Sequence, residues 1–163
     1  GGAGAPCRGG RPPRGVQCAR LLRSALCSLA RLGPRARRHV QAALGALDAA
    51  LEVAAPFCSI ADLSHVFCSY ATLCQGPPPA TEAALLGALE AACDAPGVPP
   101  GGASAPTISR LCYGLARLRL HPGPFVAGAI EASAALSCRM RVRPSCSDFV
   151  GVSPLNIFSA LAL

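Results

Sequence analysis

The chain of 163 residues contains no tryptophan and no lysine, and only two tyrosines and five phenylalanines. With aromatics at 4%, a surface that reads bases by stacking would have few platforms. Among the ten cysteines there is no Cys-x2-Cys or Cys-x4-Cys pair, and the two nearest in sequence, Cys68 and Cys74, are six apart. The usual zinc spacing is therefore missing, and the cysteines read as reduced structural thiols that behave as small apolar residues. No Gly-Lys-Ser/Thr follows Gly101-Gly102, so no phosphate-cradling loop is present. His39, His65 and His121 stand in three separate segments, none beside a motif-defined carboxylate or nucleophile, and the chain does not read as an enzyme. Neither a metal nor another cofactor is implied.

Long uncharged runs are scarce as well. Asp48, Glu52, Asp62, Glu82, Glu90 and Glu131 interrupt the apolar stretches. The charge-free tail from Phe149 to Leu163 carries Pro154 and falls short of the roughly 18 residues a membrane span needs. The mean hydropathy of +0.41 comes instead largely from Ala and Leu, which favour helix.

What is present is a repeat. Thr107-Ile-Ser-Arg-Leu-Cys-Tyr-Gly-Leu-Ala-Arg-Leu118 has relatives in Leu22–Leu32, Leu63–Leu73 and Pro154–Leu163. Anchored on Ala30, Ala71, Ala116 and Ala162, the copies lie 41, 45 and 46 residues apart. Eight residues before the anchor stand Leu22, Leu63, Ile108 and Pro154, and four before it Leu26, Phe67, Cys112 and Phe158. Five before it are Ala25, Val66, Leu111 and Ile157, one before it Leu29, Tyr70, Leu115 and Leu161, and two after it Leu32, Leu73 and Leu118. At about 100° per residue these positions share one helix face. Fourteen residues after the anchor, Leu44, Leu85 and Ile130 sit in a second Ala-rich helical pattern, read as Arg37 to Ala54, Ala80 to Cys93 and Pro124 to Ser137. Gly33-Pro34, Gly76-Pro77-Pro78-Pro79 and His121-Pro122-Gly123-Pro124 turn the chain between the two helices of each unit. Thr81 with Glu82, or Pro124, suits a helix start.

The expected fold is all-α, an α-solenoid of stacked helical hairpins with about three and a half repeats. Residues 1–16, rich in Gly, Pro and Arg, read as a flexible extension. The helical-repeat domain occupies 17–163, with repeats at about 17–56, 57–96 and 106–140 and a partial one at 152–163. The chain does not begin with Met and ends inside its fourth copy, so it reads as part of a longer protein.

The net charge is +7, and all fifteen basic residues are Arg, nine of them before Val40, where there is no carboxylate. Such a block suits a polyanion contact or a solvated tail, and the Arg guanidinium can donate to phosphate in pairs. The same bias toward Arg, Ala, Gly and Pro also arises from a GC-rich coding sequence. An Arg-rich, acid-poor N-terminus is a feature of organelle transit segments too, but the repeat register starts at Leu22, so Cys18 onward reads as the first repeat. Opposite the apolar stripe, six residues before each anchor, stand Ser24, His65, Arg110 and Asn156. One residue after it come Arg31, Thr72 and Arg117. The two positions differ by seven residues, roughly 20° of helix, and form a polar ridge on every first helix. With the cluster Arg35, Arg37 and Arg38, these are the candidate polyanion-binding residues. Beside the ridge lie the small residues Ser28, Ser69, Gly114 and Ala160, which permit close approach of a neighbouring helix or a ligand.

The pattern of Ile60 to Leu73 and Ile108 to Leu118, with Ser153 to Leu163, resembles the helical-hairpin repeats of organellar RNA-binding proteins. These are the octotricopeptide-repeat family of algae and the related repeats ahead of RAP domains in FAST-kinase-like proteins. The resemblance covers about residues 18–163. It implies RNA binding in mitochondria or, alternatively, plastids, to ribosomal RNA within an assembly that includes other protein subunits, or to organellar transcripts. With Tyr113 the only aromatic near the ridge, Arg contacts to the phosphate backbone would dominate over base reading. The competing expectation is an α-solenoid scaffold that binds protein subunits of an organellar complex.

Overall fold

The computed structural model describes residues 13–32, 37–94 and 103–139. Among them are six α-helices and no strand: α1 (Arg14–Leu32), α2 (Arg37–Ala54), α3 (Ile60–Leu73), α4 (Pro79–Asp94), α5 (Ala105–Leu118) and α6 (Pro124–Arg139), with a 3-10 turn at Ala55–Phe57 after α2. The all-α expectation is met there. The partial fourth copy, like residues 1–12, lies outside the described residues. Helix α1 begins at Arg14 and so takes in residues 14–16 of the expected extension.

Local chemistry explains where the helices start and stop. Ser59 caps α3: its hydroxyl accepts from the Asp62 amide at 3.2 Å while the Asp62 carboxylate accepts from the Ser59 amide at 3.2 Å. That reciprocal arrangement satisfies two amide donors left over by the first turn. Helices α3 and α5 end alike. Cys74 and Arg119, each three residues past its anchor alanine, adopt left-handed backbone with φ of 52° and 57°. The following amides then close onto carbonyls five residues back, Gln75 on Tyr70 and Leu120 on Leu115. The sequence offers no glycine at either place to signal these ends. Thr81 does not cap α4, which starts two residues earlier at Pro79; its buried hydroxyl donates instead to Glu52 Oε1 of α2 at 2.8 Å.

Packing follows the apolar register in α3 and α5, but in α1 the stripe residues Ala25 and Leu32 are exposed, because no described helix packs on that side of α1. Leu26, Phe67 and Cys112, all four residues before their anchors, are buried, as are Leu44, Leu85 and Ile130 on the second helices. Within each hairpin the two helices touch. Helix α3 packs between α1 and α5, and α4 between α2 and α6. The buried side chains form one continuous apolar cluster from Ala19 to Ile130. Its main polar inclusion is Tyr70, whose hydroxyl donates to the buried Asp48 carboxylate of α2. No described helix is long and apolar enough to cross a membrane.

Gly114 sets the α3 to α5 spacing. A Cβ built on it would lie 2.8 Å from the Phe67 carbonyl carbon and Cβ, and 2.9 Å from the Cys68 amide nitrogen. The corresponding residue of α3, Ser69, meets α1 in the same way, its hydroxyl 3.3 Å from Cys27 Sγ. Two successive junctions thus use one register position for contact with the preceding helix.

Candidate nucleic-acid interface

Charge divides between the two rows of helices. Along α1, α3 and α5 the cations are Arg14, Arg20, Arg23, Arg31, Arg110 and Arg117, and the only carboxylate is Asp62. Asp62 is buried and already held by Arg23 at 2.8 Å, the only ion pair among the described residues. Along α2, α4 and α6 stand Asp48, Glu52, Glu82, Glu90, Asp94 and Glu131 against Arg37, Arg38 and Arg139. One row is therefore basic and the other acidic, a separation that points any polyanion toward α1, α3 and α5.

On that basic row the expected ridge is distributed as follows. Ser24, Arg31, Thr72 and Arg117 are exposed, and His65 and Arg110 are half-buried. Because α3 is enclosed by α1 and α5, Ala61, His65, Cys68 and Thr72 supply most of what it presents to solvent. The ridge positions of α3 and α5 come together: Arg110 Nη1 lies 3.1 Å from His65 Nε2. A guanidinium carries only donors, so His65 accepts through Nε2 and is neutral. Burial first, then Arg110 and Arg23, push its pKa below the usual imidazole value, against a weaker opposite pull from Asp62. Arg37 and Arg38 open α2, on the other row, and nothing further is described of their side chains. Arg35 and Asn156 lie outside the described residues.

Arg20, exposed on α1, belongs to the same face and was not among the expected residues. It precedes Arg31 by eleven residues, about 20° of helix, and that spacing alone would have found it. Arg23 is different: it faces α3, and its partner Asp62 is 39 residues away in sequence. Of the small residues beside the ridge, Ser69 and Gly114 are spent on helix contact, Ser28 is exposed, and Ala160 lies outside the described residues. Tyr113, the aromatic nearest the ridge, is half-buried.

The cysteines whose side chains are described form no site of their own. Cys18, Cys27, Cys58, Cys68, Cys74, Cys93 and Cys112 are free thiols. Burial pushes the Cys58 thiol up to about 11, with Asp62 and Cys18 adding to the shift, and raises Cys112 as well. Both are therefore protonated at neutral pH and pack as apolar groups. Among the described residues no three His, Cys, Asp or Glu side chains are placed to hold a metal ion. Comparison of the chain with protein-family models, with curated proteins and with solved structures gives no match.

Proposed function

We propose that this chain is an RNA-binding α-solenoid whose basic row, α1, α3 and α5, lies along the phosphate backbone of a structural RNA. The observation that carries the proposal is the segregation of charge: six arginines line these helices, and their single carboxylate is already neutralised by Arg23. Arg20, Arg31 and Arg117 project to solvent without an ion-pair partner among the described residues. Phosphate contacts of this kind position a nucleic acid without reading its sequence, and the scarcity of aromatics argues in the same direction. Resemblance to organellar hairpin repeats supports a mitochondrial setting, with ribosomal RNA as the ligand and other subunits of the same assembly as neighbours. A scaffold role is favoured by one separate observation, the exposed apolar side chains of the first hairpin.

The test is a salt titration of binding to two unrelated single-stranded RNA oligonucleotides, comparing the native chain with the triple variant Arg20→Ala, Arg31→Ala, Arg117→Ala. Each lost phosphate contact lowers the slope of log affinity against log salt by roughly 0.7, so a fall of about 2 is expected, alike for both sequences. An unchanged slope and affinity in a variant that keeps its helical circular dichroism would reject the basic row as the RNA surface.

A further inference from the structure

Four register positions are buried in α3 and exposed in α1. Counted from the anchor alanine, they are nine, five and two residues before it and two after it, and they fall within about 60° of one another on a helix. In α3 they are Asp62, Val66, Ser69 and Leu73, which are 4%, 0%, 5% and 7% exposed. Asp62 and Ser69 of this set contact Arg23 and Cys27 of α1. The counterparts in α5 are Thr107, Leu111, Gly114 and Leu118, of which the first three are buried, with Gly114 seated on Phe67 and Cys68 of α3. In α1 the same positions are Leu21, Ala25, Ser28 and Leu32, and all four are exposed, Leu21 at 71% and Leu32 at 62%. The face by which α3 and α5 each dock onto the preceding helix is open in α1. All the large hydrophobic side chains that stand exposed among the described residues, Leu21, Leu32, Val53 and Phe57, belong to this first hairpin and the turn that follows it.

From this we infer that the open face of α1 is a docking surface for an amphipathic helix of another protein, one whose apolar stripe is flanked by carboxylates. That a helix fits there follows from the two internal junctions, which use the same face against a helix. Helix faces that meet only water are mostly polar, whereas this one exposes Leu21, Ala25 and Leu32 with Ser28 as its single polar residue. The acidic flank follows from charge, since Arg14, Arg20 and Arg31 lie on or beside the face and α1 has no carboxylate. The internal junction pairs its own arginine with Asp62 in the same manner. A second copy docking α1 against α1 would set these arginines against each other with nothing to offset them. Residues 1–12 contain no Leu, Ile, Val, Phe or Met and so cannot supply the apolar stripe.

The probes are two synthetic amphipathic helices of about 15 residues, near the shortest length that holds helix alone. They share a Leu/Ala stripe spaced i, i+3, i+4, i+7 and differ only in carrying Glu or Lys on its flanks. The Glu-flanked peptide is expected to bind the native chain at least tenfold more tightly than the Lys-flanked one. The double variant Leu21→Glu, Leu32→Glu, at two exposed sites that leave the core intact, is expected to lose that binding while keeping its helical circular dichroism. Equal affinity for the two peptides, binding that survives the double variant, or no binding of either peptide would overturn the inference. So would sedimentation velocity that shows a self-associating native chain made monomeric by the double variant, because the occupant would then be a second copy. RNA affinity, measured in parallel on the uncharged double variant Leu21→Gln, Leu32→Gln, which adds no carboxylate beside Arg20 and Arg31, is not expected to move, so failure of this surface and failure of the RNA proposal are separately visible.

Discussion

His65 faces three charged groups: Arg110 from α5, Arg23 from α1 and Asp62 from its own helix. Its ring is held neutral because burial and the two guanidiniums both oppose a further positive charge, and because Nε2 serves as the acceptor for Arg110. The folded pKa lies below the unfolded one, near 6.5, so the unfolded chain takes up the proton first as pH falls. The stability that this residue contributes is therefore complete above that value and is lost progressively below it. Between about pH 8 and about pH 5 the urea midpoint of the native chain should fall more steeply than that of His65→Gln, whose amide oxygen can still accept from Arg110 but does not titrate. Parallel pH profiles for the two proteins would show that the histidine is not a neutral acceptor. The pair could not be seen in the sequence, where His65 and Arg110 are 45 residues apart; what could be seen was that both occupy the same register position.

At the scale of the helix, two glycines make opposite predictions from one physical comparison. Replacing a helical glycine by alanine gains about 0.5–1 kcal/mol where space allows. Gly87 of α4 has nothing within 4 Å of a built Cβ, so Gly87→Ala should raise the unfolding free energy by about that much, and the urea midpoint with it. At Gly114 the same methyl would meet the backbone of Phe67 and Cys68 at 2.8–2.9 Å, and backbone cannot swing aside as a long side chain can. Overpacking of this kind costs about 1–3 kcal/mol, more than the helical gain, so Gly114→Ala should be destabilising by up to about 2 kcal/mol. If the two variants shift the midpoint equally upward, α3 and α5 are not in the close contact described.

Helix limits were legible where proline and glycine punctuate the chain. Arg37 and Ala54 bound α2 as expected, and α4 and α6 differ from expectation by one or two residues at their ends. The left-handed ends at Cys74 and Arg119 were not legible, because each is a residue type that rarely adopts that backbone; the equivalent place in the first copy is a glycine, Gly33, outside the described residues. The 3-10 turn at Ala55–Phe57 was hidden for a related reason, since it continues a run that reads as helix until Pro56.

For the whole molecule, helix content and apolar register could be read from the chain, but the separation of charge could not, although every charged residue was in view. It becomes visible only once α1, α3 and α5 are known to share a row, because the first and third hairpins each mix both signs and the second has carboxylates on both of its helices. The same arrangement fixes where the molecule should be firmest. Among the described helices α3 packs against both α1 and α5, whereas α1 meets only α3 in its row. Nine of the fourteen residues of α3 are buried, against three of the nineteen of α1. Amide hydrogen exchange should therefore be slowest in α3 and at least tenfold faster in α1, a difference of about 1.4 kcal/mol in opening free energy. Uniform protection across the helices would instead mean one cooperative unit in which α1 is as secure as α3. Because α1 carries both the exposed arginines and the open apolar face, a ligand on either should slow its exchange by mass action on the closed state, by about 2.7 kcal/mol at a hundredfold excess over Kd where opening abolishes binding. RNA and the acid-flanked peptide added separately should each protect α1, and α1 protection by RNA that persists in the uncharged variant Leu21→Gln, Leu32→Gln would show that RNA does not depend on the apolar face.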